Sequence, residues 1–171
     1  MNEERVKRLA ARMDRLAEQD ELLMARAKRV EAARRIGAEQ LYQLCAHVVC
    51  ELNSLVTRFR IEIAPDSWTG DSFRDSGVNI VQINANGRLI QVAFQATDKL
   101  VSAENYATPY IIEGAVRWFN QELLEGRGIE EEQVFLCWDD KTGNRWRWQD
   151  PQTRRSGPFD LDHLMSLLER L

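Results

Sequence analysis

At 171 residues the chain suits one domain plus an extension, long enough to bury a real core. Charged residues make up 29% and hydrophobic ones 44%, and no apolar run approaches the roughly 18 residues of a membrane span, so composition indicates a soluble globular chain. The formal charge of −4 divides unevenly: residues 1–37 hold ten Lys/Arg against seven Asp/Glu, residues 38–171 thirteen against twenty. An acidic body argues against a dominant nucleic-acid surface, because duplex binding draws its affinity largely from neutralising phosphates.

The charged start Met1–Arg8 lacks a signal-peptide core, and Cys45, Cys50 and Cys137 are odd in number with no C-x-x-C spacing. A reducing cytoplasm fits these features best.

From about Glu3 to Ile36 the chain is rich in Ala, Leu, Arg and Glu and free of Pro and Gly, which predicts a long helix. With Val6 as heptad position a, Val6, Met13, Asp20, Ala27 and Arg34 occupy a, and Leu9, Leu16, Leu23 and Val30 occupy d. This is a coiled-coil-like seam with charged defects at Asp20 and Arg34. The g positions are Arg5, Arg12, Gln19 and Arg26. In a parallel homodimer g meets the following e′, and only Arg26 with Glu31 makes an opposite-charge pair. In an antiparallel homodimer the g arginines face one another and repel. Three covers for the stripe stay open: its own body, a second copy, or a different protein.

Gly37 interrupts the run, and a second helix is expected over about Ala38–Leu52, burying Leu41, Leu44, Cys45, Val48 and Leu52. This places the domain boundary at residue 37, between a basic helical arm (1–37) and an α+β body (38–171). C-A-H-V-V-C has a metal-like look, but Cys45 and Cys50 sit five apart and point to different sides of a helix. Leu55–Ala64 alternates as a first strand closed by Pro65. The long polar connection Pro65–Gly77 carries Trp68 and Phe73, which either tuck into the core or form part of a binding surface. Its acids do not match a calcium loop.

Val78–Ala96 is the strongest local signal in the chain, two alternating runs joined by Asn86-Gly87, a pair suited to a two-residue type I′ turn. Pairing Ala85 with Arg88 sets Ile83 against Ile90, Val81 against Val92 and Asn79 against Phe94. Thr108 and Pro109 then open an expected helix with Ile112, Ala115, Val116, Phe119 and Leu123 on its buried stripe and Gly126 as its stop. Gly126–Gln133 is a charged link.

Val134–Asp150 forms a second hairpin. Asp140-Lys141-Thr142-Gly143 suits a bulged three-residue loop, pairing Asp140 with Asn144 and Trp138 with Trp146. Val134, Leu136, Trp138, Trp146 and Trp148 then share one face. Arg145, Arg147, Arg154 and Arg155 interleave with these tryptophans, a pattern that also suits base stacking and phosphate contact. Core tryptophans with a solvated basic edge are the plainer reading. Asp160 or Asp162 caps a last helix bearing Leu161, Leu164, Met165, Leu168 and Leu171.

The fold class is therefore α+β: a long N-terminal helix, then an α-βββ-α-ββ-α body whose antiparallel sheet is covered by helices. Over roughly residues 38–171 that element order, with the acidic body and small size, is similar to the type III secretion chaperones and the small bacterial proteins thought to share their fold. The resemblance implies a homodimeric, non-catalytic body that binds an extended segment of another protein. No phosphate-binding, dinucleotide, nucleophile-elbow or zinc-protease motif occurs, and the two histidines, His47 and His163, sit in no suggestive context. No catalytic residue, cofactor, metal or membrane association is expected. The expected function is a cytoplasmic protein-binding adaptor or chaperone-like regulator, with Val6, Leu9, Met13, Leu16, Leu23, Val30, Trp68 and Phe73 as partner contacts. The alternative is a nucleic-acid-binding accessory using Arg5, Arg12, Arg26, Arg145, Arg147, Arg154 and Arg155.

Overall fold

The computed structural model describes residues 2–121 and 129–171. It is α+β: helix α1 (Glu3–Leu55), strands β1 (Glu62–Ala64), β2 (Asn79–Ala85), β3 (Arg88–Ala96), β4 (Tyr110–Asn120), β5 (Glu130–Cys137), β6 (Arg145–Gln149) and β7 (Ser156–Pro158), then helix α2 (Leu161–Glu169). The strands form one antiparallel sheet in chain order, β1 to β7. The chain divides into two units, Met1–Ala33 and Arg34–Leu171.

In the larger unit, the part of α1 after residue 33 covers one sheet face through Ala38, Leu41, Tyr42, Cys45, Val48 and Val49, all buried. Beneath them lie Val81, Ile83, Ile90, Val92, Phe94, Ile112, Val116 and Leu136. The β2–β3 register is the one the Asn-Gly turn demands, with Ala85 on Arg88, Ile83 on Ile90, Val81 on Val92 and Asn79 on Phe94. Asn86 (φ 54°) and Gly87 (φ 86°) both take the positive φ of a type I′ turn.

Four elements differ from the sequence reading. Gly37 does not end a helix. It lies inside α1, where an added β-carbon would stand 2.2 Å from Leu136 Cδ2, and its carbonyl accepts from Trp146 Nε1 at 2.7 Å. The glycine is there for close approach of helix to sheet, not for a stop. The expected first strand over 55–64 shrinks to Glu62–Ala64, because α1 runs on to Leu55 and Asn53 grips Ile61 from both sides. Asn53 Nδ2 donates to Ile61 O and Ile61 N donates to Asn53 Oδ1, each at 2.8 Å.

The third difference is the largest: the expected helix from Thr108 is strand β4, pairing with β3 from Arg88/Asn120 to Ala96/Ile112 and with β5 on its other side. Tyr110, Ile111, Ile112, Val116, Trp118 and Phe119 are β-branched or aromatic, and two waiting neighbours supply the ladder that a helical stripe would forgo. Pro109 precedes the strand, where its missing N–H costs no ladder bond. Leu123 and Gly126, part of that expectation, lie outside the described residues. The charged link resolves into the start of β5, where consecutive acids each have a partner. Glu130 accepts from Trp118 Nε1, Glu131 pairs with Arg117, and Glu132 meets His163.

The fourth concerns the second hairpin. Its register is shifted by two, with Leu136 on Trp146, Val134 on Trp148 and Cys137 on Arg145. A shift of two keeps every side chain on its expected face, but Trp138 leaves the strand and its N–H bonds Pro109 O at 2.8 Å. Asp139 caps the wider loop: it accepts from Lys141 N at 2.8 Å and from the Thr142 hydroxyl. Gly143 does take positive φ, 81°. Asp160 caps α2 by accepting from His163 N at 3.0 Å, and the helix buries Leu164 and Leu167, leaving Leu161 and Met165 exposed.

In an open helix Gly→Ala gains up to about 1 kcal/mol. At Gly37 the sign reverses, because fully buried Leu136 has no room to yield. Gly37→Ala should destabilise by about 1–3 kcal/mol, read as a lower urea midpoint with unchanged slope. A raised midpoint would refute the close-approach role.

Candidate polypeptide interface on the N-terminal helix

Residues 2–26 are all exposed along α1. The seam residues Val6 (50%), Leu9 (56%), Met13 (61%), Leu16 (49%) and Leu23 (62%) keep about half or more of their surface in water. Single exposed apolar residues are ordinary, but five at the a and d positions of one helix form an apolar strip, broken once by Asp20. Val30, the last expected contact, is buried and is not part of the available surface. Arg34, the second seam defect, is buried too and belongs to the larger unit, where its guanidinium donates to Ile111 O at 2.9 Å and Thr97 Oγ1 at 3.1 Å.

The charges on the arm are sorted by side. Heptad positions c and g, which adjoin one another beside the d row, carry Arg5, Arg8, Arg12, Arg15, Arg26 and Arg29, with no acid among them. Across the helix the b and f positions carry Glu4, Asp14, Glu18 and Glu21 together with Lys7 and Lys28. Among the described residues the arm's one ion pair is Lys7 Nζ with Glu3 Oε1 at 3.5 Å, which leaves the arginine ridge without a carboxylate. The c-position arginines were missed from the sequence, although the same heptad lettering displays them.

The other expected contacts are not on a surface. Trp68 and Phe73 are buried, a correction to their reading as partner contacts. Trp68 lies between Tyr42 (centroids 6.0 Å apart) and Phe94 (6.1 Å), and Phe73 stacks on Phe94 (6.4 Å). The polar loop is thus a lid of aromatic side chains closing one end of the core. Nor do the body arginines converge. Arg147 Nε donates to the Tyr106 hydroxyl at 3.1 Å on the sheet face opposite the helices. Arg145 begins β6, while Arg154 and Arg155 sit in the turn beyond its other end, about 15 Å along the strand.

His163 Nε2 lies 2.7 Å from Glu132 Oε2, its ring stacks on Trp148 (4.5 Å, 7°), and Arg170 Nη1 stands 3.8 Å from Glu132. This cluster clamps α2 to β5 and β6. A cleft of about 510 Å³ opens between Leu52, Phe59, Ile61, Met165 and Leu168. A shallower, more polar hollow of about 420 Å³ crosses the uncovered sheet face over Ala93, Ala115 and Gln133. Among the described residues no three His, Cys, Asp or Glu gather to hold a metal ion, and no helix is long and apolar enough to cross a membrane. Comparison with protein-family models, curated proteins and solved structures found no match.

Two measurements check these placements. Trp68→Ala should cost about 3–5 kcal/mol of folding stability, as for a core aromatic; a full-stability variant would return Trp68 to the surface. Burial lifts the Cys45 thiol to about 12 and, against a smaller opposing pull from Arg147, the Cys137 thiol to about 11, so both are protonated and shielded at neutral pH. A thiol reagent should therefore modify Cys50 alone in the folded protein and all three cysteines in denaturant.

Proposed function

We propose that this protein works by binding another polypeptide along the exposed strip Val6–Leu23, as an adaptor or chaperone-like regulator in a reducing compartment such as the cytoplasm. The observation that carries the reading is that strip: a helix with half-exposed Val, Leu and Met at a and d positions presents the surface that a second helix covers. The body supports it by burying Trp68 and Phe73, which leaves the exposed strip as the apolar surface open to a partner. The reading takes nothing from the resemblance to secretion chaperones, whose central helix is strand β4 in this chain. The body arginines of the nucleic-acid alternative do not converge, which leaves that reading the arm arginines alone.

The test compares wild type with Leu16→Asp/Leu23→Asp. The double variant should lose a polypeptide that wild type retains from host lysate, by about tenfold or more, while the melting midpoint of the body stays put. Retention of nucleic acid in place of protein, or capture indifferent to the two substitutions, would refute the proposal.

A further inference from the structure

We infer that the occupant of the strip is an acidic amphipathic helix of a different protein, with Leu-like residues at its own a and d positions and Glu or Asp flanking them. The inference rests on the proposed function and adds the chemistry of the partner. It follows from the one-sided arginine ridge. Arg5, Arg12 and Arg26 stand at g beside the seam, and Arg8, Arg15 and Arg29 stand behind them at c.

A second copy of the chain fits this surface poorly in either direction. Antiparallel pairing sets Arg12 against Arg26 of the other copy about a Gln19–Gln19 centre, ridge facing ridge. Parallel pairing sets Asp20 against its own image inside the apolar seam, where two carboxylates share one dry site. It also turns Arg5 and Arg12 toward Ala10 and Ala17, which offer no charge. An acidic helix removes all three conflicts: its carboxylates face Arg5, Arg12 and Arg26, and a Lys or Asn at one a position meets Asp20. The arginine spacings of seven and then fourteen residues fix where those acids fall.

Other anionic partners match less of the surface. Nucleic acid would neutralise the ridge but leave Leu9, Leu16 and Leu23 in water. A helix lying flat on an anionic bilayer carries basic residues on both flanks of its apolar stripe. Here one flank is arginine, the other side mixes Lys7 and Lys28 with Glu4, Asp14, Glu18 and Glu21, and Asp20 interrupts the stripe itself.

The test uses the full chain and three synthetic peptides of about four heptads. All have Leu at a and d, with Lys at the a position opposite Asp20. One carries Glu at e and g, one Gln, and one Lys. The Glu peptide repels itself and so arrives as a free strand. It should bind about tenfold or more tighter than the Lys peptide, with the gap narrowing as salt rises. Arg12→Glu/Arg26→Glu should reverse the order of the two peptides, a change of sign that misfolding cannot produce. Equal binding of the three peptides, or preference for Lys, overturns the acidic partner while leaving the proposed function intact, provided binding still needs Leu16 and Leu23. Binding of duplex DNA or phosphatidylserine vesicles in preference to the Glu peptide overturns it, as does a micromolar dimer that the Glu peptide does not dissociate. Failure of all three peptides, joined to capture that ignores Leu16→Asp/Leu23→Asp, would remove both readings together.

Discussion

At Gly37 the backbone of α1 comes close enough to Leu136 that a β-carbon has no place, and Trp146 donates its indole N–H to the Gly37 carbonyl. That contact sets how near the helix lies to β5 and β6, and the rest of the core follows from the distance. One turn earlier in α1, Arg34 reaches the carbonyls of Ile111, Thr97 and Leu100. One turn later Leu41 is sealed, and Tyr42 stacks with Trp68. A buried guanidinium is costly without partners, but here it bonds the backbone where β3 ends and β4 begins, so polar and apolar contacts fix the same helix to the same strands.

The parts of the fold legible in the sequence were those whose signal is local. Asn86-Gly87 imposes φ > 0 at two successive positions and thereby a register, and β2 and β3 paired as that turn requires. Asp160 before a leucine run likewise marked the start of α2. The misread parts depend on distant partners. Residues 110–120 satisfy a helical stripe and a strand alternation about equally well, and the choice falls to β3 and β5, whose ladders no window of sequence contains. Gly37 read as a breaker for the same reason, since the leucine that requires it lies 99 positions onward, at Leu136. The expected first strand is short for the same reason, since the Asn53 side chain bridges both backbone groups of Ile61 from within α1.

The candidate interface divides the same way. The seam from Val6 to Leu23 is pure periodicity and was fully legible. Trp68 and Phe73 were not, because an aromatic residue in a polar loop looks the same whether it folds inward or outward. What decides is that Tyr42 and Phe94 come from elements far apart in the chain and build a site for both rings. With those aromatics committed to the core, the candidate sites of contact with another protein contract from two to one.

That contraction changes what kind of binding surface this is. A loop of tryptophan and phenylalanine would bind through a few buried anchors, with affinity concentrated in one or two side chains. A heptad strip spreads apolar contact over several turns of helix, each contributing modestly, and leaves the choice of partner to the flanking charges. Between residues 3 and 33 those charges are uneven: six arginines and no acid at c and g, four acids with two lysines at b and f, and an aspartate in the seam. The apolar row alone would accept many helices, its own copy included. On the proposed reading the arginine ridge and Asp20 would exclude most of them through repulsion, so specificity would come as much from the pairings the arm disfavours as from those it stabilises.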